Sequence, residues 1–172
     1  IPKTGVFGLY DLIGIDLMVD VLKSFKKELP GTDDFQNVAK EIPLITKLIN
    51  EGYTGRKGKG GFYRINKSNN DKVLEAINLD TEKYSPSKKI DLKMDTVDIV
   101  GLINRDDKYG KYSWSVISKI ITYASSLVPG ITDKFNDIDE AMRLGFNWAM
   151  GPFEMLNEIG PKAFFKRLGQ IK

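Results

Sequence analysis

Cysteine and histidine are both absent from this sequence of 172 residues. Without cysteine the chain cannot form a disulfide, a thiol nucleophile or a thiolate metal site, and such a composition fits a reducing compartment. Without histidine it cannot hold a Ser-His-Asp triad or a histidine-ligated zinc ion, and it lacks the commonest general base. Any catalysis by this chain would therefore depend on carboxylates, lysines or tyrosines.

A strong charge imbalance and a long apolar run are also absent. The 26 basic and 23 acidic residues leave a net charge of +3, which gives no electrostatic reason to expect a nucleic acid or an anionic membrane as a partner. The apolar residues near the start are interrupted by Lys3, Asp11, Asp16 and Asp20. We therefore expect neither a signal peptide nor a membrane span. The sequence predicts a cytoplasmic protein.

Two stretches of the sequence match each other. Residues 5–14, GVFGLYDLIG, align without gaps on residues 151–160, GPFEMLNEIG, with four identical residues in ten. In each copy a run with helical spacing ends at a glycine and a second run follows, which predicts two helices that meet at Gly14 and two that meet at Gly160. Asp16 is the predicted N-cap after the first junction. The sequence begins with Ile inside the first copy, so we interpret the chain as a fragment of a larger protein.

The fold class predicted from these patterns is all-α, because no segment shows sustained alternation of apolar and polar residues. We divide the chain into a first helical repeat at 1–64, truncated at its N-terminus, a polar connection at 65–95, and a second helical repeat at 96–172. The connection is predicted to hold one helix at 72–78. The two repeats are expected to pack their apolar faces together.

A loop rich in glycine and basic residues, GRKGKGGFY, occupies residues 55–63. Glycines leave backbone N–H groups accessible and Arg56, Lys57 and Lys59 supply cations, a combination typical of phosphate binding. The spacing matches neither the P-loop nor the dinucleotide-binding pattern. Two interpretations stay open: a turn whose aromatic residues dock on a helix, which we favour, and a phosphate-binding loop.

Two other clusters have ordinary structural interpretations. Acidic residues at the start of a predicted helix suggest a metal site, but helix capping and the helix dipole explain them better; they are Asp137, Asp139 and Glu140. Aromatic residues near the Gly-Pro corner of the second copy suggest a cofactor cage, but core packing is the commoner use; they are Phe146, Trp148 and Phe153. We predict no metal site.

Three stretches together resemble a known family: PKTGVFGLYDLIGID at 2–16, GRKGKGGFY at 55–63 and IDEAMRLGFNWAMGPFEMLNEIG at 138–160. They are similar to the C-terminal helical domain of the NAD-dependent 3-hydroxyacyl-CoA dehydrogenases, in the duplicated form of the multifunctional β-oxidation proteins. The resemblance spans nearly the whole chain except about 67–95. It implies a fold like the C-terminal domain of 6-phosphogluconate dehydrogenase.

The resemblance implies a parent enzyme that oxidises (S)-3-hydroxyacyl-CoA to 3-ketoacyl-CoA in fatty-acid β-oxidation. In that family an upstream Rossmann domain binds NAD and holds the catalytic histidine with its glutamate partner, and neither is present here. A family asparagine on the helix before the first copy would lie upstream of Ile1, and residues 112–126 hold no asparagine. We therefore predict no catalytic residue and no bound cofactor in this chain, which would be the substrate-side and dimerisation domain and inactive by itself. The resemblance allows a homodimer.

Acyl-CoA contacts are expected near the first copy, where KTGVF stands in place of AMGPF of the second. A purely structural corner needs neither a cation nor a hydroxyl, so we predict substrate contacts at Lys3, Thr4, Gly5 and Phe7. A solvated lysine at a frayed end is the alternative. In the parent, Lys3→Ala and Thr4→Val should raise the KM, whereas changes at Ala149 and Met150 should affect stability alone.

With the resemblance in view, the phosphate considered for Arg56, Lys57 and Lys59 is that of CoA. Two other functions stay open for the whole chain. One is a non-catalytic helical assembly module, and the other is the helical domain of another NAD-dependent hydroxy-acid dehydrogenase.

Overall fold

A computed structural model of the chain describes residues 4–67, 72–88 and 98–169. Within these ranges the chain forms nine α-helices and three β-strands. The described residues up to 88 form one compact unit, and those from 98 onward form a second. The prediction of a mostly helical fold is confirmed, with a small sheet in the first unit. None of the helices in the described ranges is long and apolar enough to cross a bilayer.

The first unit begins with four helices: α1 (Gly5–Ile13), α2 (Ile15–Glu28), α3 (Phe35–Val38) and α4 (Pro43–Asn50). The predicted junction at Gly14 is confirmed, and its φ of 117° is a value that favours glycine. Asp16 is not the N-cap that we predicted: it lies inside the first turn of α2, where a negative charge still suits the helix dipole. The core of this unit is formed by Ile15, Leu44, Ile45, Leu48 and Phe62.

A three-stranded antiparallel sheet completes the first unit, with the order β1 (Tyr63–Asn66), β2 (Val73–Ile77) and β3 (Tyr84–Pro86). The helix predicted at 72–78 is wrong, because that segment is β2. It pairs on one side with β1, Tyr63 opposite Ala76, and on the other with β3, Ile77 opposite Tyr84. Partners on both sides satisfy the backbone groups that a helix would satisfy internally. The predicted boundary at residue 95 lies outside the described residues.

The second unit holds five helices: α5 (Ile99–Ile103), α6 (Lys108–Ser126), α7 (Phe135–Phe146), α8 (Pro152–Ile159) and α9 (Pro161–Leu168). The predicted junction at Gly160, with φ of 83° and Pro161 opening the next helix, is confirmed. The unit therefore repeats the helix, glycine and helix arrangement of α1 and α2. Its core consists of Ile103, Trp114, Ile117, Ile121, Met155 and Phe164.

The aromatic residues near the second corner do not share one role. Trp148 packs against the core and Phe153 contacts the ring of Phe135, with centroids 5.6 Å apart, so packing is confirmed for both. Phe146 is 61% exposed, and its predicted place in the core is wrong. It lies at the last residue of α7, next to Asn147 in the left-handed conformation that ends the helix.

Candidate functional site

The N-terminal end of α1 and the glycine-rich loop line one cavity of about 870 Å³ in the first unit. Thr4 and Gly8 contribute from α1, and Arg56 and Lys59 contribute from the loop. The structure thus brings Thr4, predicted to contact substrate, together with two of the three cations of the loop whose phosphate-binding interpretation stayed open. The other lining residues are Asp11, Gly58, Gly60, Tyr63, Arg64, Ile65, Lys67 and Leu74.

The remaining predicted residues do not join this group. Phe7 lines a different, apolar cavity of about 380 Å³ whose other residues are Val6, Tyr10, Ile42, Leu44, Ile45, Phe62 and Leu79. Gly5 and Lys57 are exposed and are not among the residues lining either cavity. Lys3 lies outside the described residues. A single substrate contact surface made by all of these residues is therefore not formed within the described chain.

Asp11 holds the glycine-rich loop against α1. Its side chain is only 3% exposed, and its two carboxylate oxygens accept hydrogen bonds from the N–H groups of Phe62 at 2.8 Å and Tyr63 at 2.7 Å. Its carbonyl oxygen accepts a third from the N–H of Arg56 at 2.8 Å. Burial raises the pKa of Asp11, and the two backbone donors and the Arg56 charge oppose that rise. Asp11 therefore acts as a buried anchor, a role that we did not predict from the sequence.

Close contact with α1 determines which residues the loop can contain. A Cβ atom on Gly61 would lie 2.0 Å from Oδ1 of Asp11, and one on Gly55 would lie 2.5 Å from its carbonyl oxygen. Next to these glycines the ring of Phe62 packs on Phe7, with centroids 4.6 Å apart. The predicted docking of an aromatic loop residue on a helix is confirmed for Phe62.

Two cations of the cavity are held by protein groups. Arg64 donates from Nε to Oε2 of Glu75 at 2.7 Å and from Nη1 to the hydroxyl of Tyr53 at 3.2 Å, and its guanidinium carbon lies 3.9 Å from the centroid of Tyr84. Lys59 donates from Nζ to the carbonyl oxygen of Glu51 at 2.9 Å. These bonds hold the side chains of Lys59 and Arg64 in place, and both charges stay at the cavity.

Arg56 differs from both, because its guanidinium makes no hydrogen bond or ion pair within the part of the chain that the structure describes. The side chain is exposed at the cavity wall. Its charge acts on Asp11 only through space. Among the described cations of the cavity, Arg56 is thus well suited to pair with an anionic ligand, since it has five donors and no competing partner to lose.

A second buried aspartate plays the role of Asp11 in the second unit. Asp139 is 4% exposed and accepts hydrogen bonds from the N–H groups of Phe153 at 2.8 Å and Glu154 at 3.2 Å. We interpreted Asp139 as one of the first-turn charges that helix capping and the helix dipole explain, and this is wrong, because its carboxylate binds the N-terminus of α8 instead. In both units a buried aspartate binds the N–H groups of two consecutive residues. No group of acidic residues in the described ranges could hold a metal ion.

The stretches that hold Asp11, the glycine-rich loop and Asp139 match a known protein family. The model of the family described as 3-hydroxyacyl-CoA dehydrogenase, C-terminal domain, matches residues 2–65 and 115–168. A protein of Rickettsia felis, named "Putative fatty acid oxidation complex trifunctional enzyme", is 42% identical over 156 residues, which are 91% of this chain and 21% of that protein. A "Probable 3-hydroxyacyl-CoA dehydrogenase" of Bacillus subtilis is 28% identical over 176 residues, which are 99% of this chain and 22% of that protein.

The chain spans about a fifth of the length of each of these two relatives. No solved structure gave a significant match.

Proposed function

Because this chain belongs to the family of 3-hydroxyacyl-CoA dehydrogenase C-terminal domains, we propose that it is the substrate-side helical domain of an enzyme that oxidises (S)-3-hydroxyacyl-CoA to 3-ketoacyl-CoA with NAD. The observation that supports this most strongly is the family match, which extends over both copies of the repeat. We place the enzyme in the cytoplasm, in keeping with a chain that has no cysteine.

The residues of this chain do not fit the NAD-binding site itself. Dinucleotide binding in a Rossmann fold needs a Gly-x-Gly-x-x-Gly turn between a parallel strand and a helix. The described strands form an antiparallel sheet, and the glycine-rich loop lies between α4 and β1 without that spacing. NAD supplies the hydride acceptor when it is bound. We assign its site, and the general base for the hydroxyl proton, to other parts of the enzyme, since this chain has no histidine.

The contribution that we propose for this chain is to bind the anionic end of the acyl-CoA. The cavity beside α1 offers the guanidinium of Arg56, the ammonium of Lys59 and the hydroxyl of Thr4. Phosphate is recognised by such combinations of cations and hydroxyl donors. The one acidic lining residue, Asp11, has both carboxylate oxygens bound to N–H groups of the loop. The charged and hydroxyl side chains that line the cavity therefore offer a ligand mainly hydrogen-bond donors.

Steady-state kinetics of the full-length enzyme test this assignment. Arg56→Ala should raise the KM for 3-hydroxyacyl-CoA about 10- to 100-fold with kcat unchanged, because a hydrogen bond to a charged group contributes about 1.5–3 kcal/mol in binding. Lys57→Ala is the matched control, since it removes the same charge from the next residue of the loop without altering a lining residue of the cavity. Equal effects of the two substitutions would contradict the proposal. Thr4→Val and Lys3→Ala should raise the KM as well.

A helical assembly module is the second candidate function. The observation that favours it is the apolar cavity beside Phe7, where Val6, Ile42 and Leu79 are each more than half exposed. Calorimetric titration of the full-length protein with acetoacetyl-CoA distinguishes the two candidates. Binding that weakens in the Arg56→Ala variant supports a substrate role. Unchanged binding in that variant, or none in either protein, supports assembly. The isolated chain is expected to show no dehydrogenase activity.

A further inference from the structure

A cavity of about 480 Å³ in the second unit is lined mainly by basic side chains. Four of its lining residues are cations, Arg105, Lys111, Lys166 and Arg167, and the others are Asn104, Asp106 and Ala163. We propose that this cavity is a binding site for a phosphate group, separate from the cavity beside α1. This inference does not depend on the reaction proposed above.

The core of the second unit brings these cations together from two helices. The rings of Trp114 on α6 and Phe164 on α9 pack with centroids 5.4 Å apart. Lys111 lies three residues before Trp114, and Arg167 lies three residues after Phe164. Residues at this spacing are neighbours on a helix surface. The contact between α6 and α9 therefore places cations from both helices around one cavity.

The charges around the cavity do not cancel. Asp106 is its one acidic lining residue, and Asp107, which is ion-paired with Arg105, brings a second carboxylate close. Against four cations these leave an excess of two positive charges in a small region, whereas the whole chain has a net charge of +3. Like charges gathered in this way repel one another. A bound anion would relieve that repulsion.

The two lysines of the cavity have ammonium groups that are available to a ligand. Lys111 and Lys166 are exposed, and neither forms a hydrogen bond or an ion pair within the described ranges. Lys166 lies in the last turn of α9, where the helix dipole favours a cation. Lys111 lies near the N-terminal end of α6, where the dipole opposes a cation, so helix stability does not explain it.

Arg167 is held in place by groups that leave most of its donors unused. Its guanidinium carbon lies 4.2 Å from the centroid of Trp114, and its Nη1 donates to Oδ1 of Asn104 at 3.1 Å. A guanidinium has five N–H donors, and the others of Arg167 make no hydrogen bond with the residues that the structure describes. Because the aromatic contact already restricts this side chain, it has little freedom left to lose when it binds an anion.

The charge and the number of donors favour phosphate over a carboxylate. A phosphate monoester has three acceptor oxygens and a charge of about −1.5 to −2 at pH 7. That charge is close to the excess at the cavity, and the three oxygens can accept from Arg167, Lys111 and Lys166 together. A carboxylate has one negative charge and two oxygens. The proposed ligand is therefore inorganic phosphate or the phosphate group of a nucleotide.

Fluorescence of Trp114 tests the proposal, because Arg167 lies over its ring. In the full chain, Trp148→Phe leaves Trp114 as the sole tryptophan. This protein is titrated with inorganic phosphate and, separately, with adenosine monophosphate. We expect a saturable change in emission and a Kd about tenfold higher when Lys111 and Lys166 are both replaced by alanine. Both lysines are exposed, so their replacement should leave the fold intact.

The matched control replaces Lys119 and Lys162 by alanine. These lysines are exposed on the same two helices and do not line the cavity. An equal rise of Kd in the control would overturn the proposal, because net charge rather than the cavity would then govern binding. A response that does not saturate with either probe would overturn it too.

Two comparisons define the ligand further. At equal ionic strength acetate should bind at least about tenfold more weakly than phosphate, and equal affinity would contradict the assignment to phosphate. Tighter binding of adenosine monophosphate than of inorganic phosphate would support a nucleotide as the source of the phosphate. Equal binding of the two would support free phosphate.

Discussion

Removal of the Asp11 carboxylate should destabilise the first unit more than removal of an exposed polar side chain destabilises the fold. In Asp11→Ala the N–H groups of Phe62 and Tyr63 lose acceptors at 2.8 and 2.7 Å. A hydrogen bond to a charged group contributes about 1.5–3 kcal/mol, so the two together contribute about 3–6 kcal/mol. Burial raises the pKa of Asp11, which means that the buried charge itself costs free energy. Removing this charge offsets part of the loss of the two hydrogen bonds. We therefore expect a loss of about 2–4 kcal/mol.

Hydrogen exchange is the suitable assay for Asp11→Ala, because both tryptophans of the chain lie in the second unit and do not report on the first. A loss of about 2–4 kcal/mol corresponds to exchange that is about 30- to 1000-fold faster at Phe62 and Tyr63. Asn157→Ala is the control, because Asn157 aligns with Asp11 in the repeat and is exposed. If Asp11→Ala changed exchange no more than Asn157→Ala does, the anchoring role would be refuted.

A second substitution tests the same contact from the side of the loop. Gly61→Ala would place a Cβ atom 2.0 Å from Oδ1 of Asp11, so either the loop or the carboxylate must move. We expect Gly61→Ala to speed exchange at the amides of Phe62 and Tyr63 nearly as much as Asp11→Ala does. Gly31→Ala is the control, because a Cβ atom on Gly31 would meet nothing within 4 Å. If Gly61→Ala changed the exchange at Phe62 and Tyr63 no more than Gly31→Ala does, the contact between Gly61 and Asp11 would be wrongly described.

Two further predictions concern the second unit. Phe164→Ala should lower the free energy of unfolding by about 3–5 kcal/mol, because Phe164 is 1% exposed in the core; Phe165→Ala, at a neighbour that is 60% exposed, should cost far less in the same denaturant titration. The Arg105 guanidinium and the N–H groups that Asp107 caps lower the pKa of Asp107 to about 2. Because its pKa is depressed on folding, Asp107 stabilises the fold above its ordinary pKa of 3.8, and this contribution is lost as pH falls towards 2. Asp107→Asn should therefore reduce the change in the free energy of unfolding between pH 3.8 and pH 2. Asp106→Asn removes the same charge from the neighbouring residue and is the control. An equal reduction in that variant would contradict this reasoning.

Asp11 and neighbouring protein groups hold the basic loop in its conformation. Asp11 binds three N–H groups of the loop, while Lys59 and Arg64 bind to neighbouring protein groups. The loop therefore does not need a phosphate in order to adopt its conformation. In the substrate site that we propose, Arg56 would stand on a loop whose backbone is already held in place, and this lowers the entropic cost of binding a ligand.

Local features of the sequence were sufficient to predict most of the helices. The junctions at Gly14 and Gly160 were predicted correctly, because glycine acts on its own backbone and needs no distant partner. The internal match between 5–14 and 151–160 also predicted that the same helix, glycine and helix arrangement would recur. These features depend on a few neighbouring residues.

The tertiary structure alone decided the features that depend on distant residues. The segment at 73–77 became a strand because β1 and β3 pair with it on both sides, which outweighs its local preference for helix. Asp139 proved to bind α8 rather than its own helix, and its partner Phe153 lies 14 residues away in the sequence. Thr4 and Arg56 came to line one cavity because Asp11 holds the loop on α1. Such contacts join residues far apart in the chain, so no pattern within a short window specifies them.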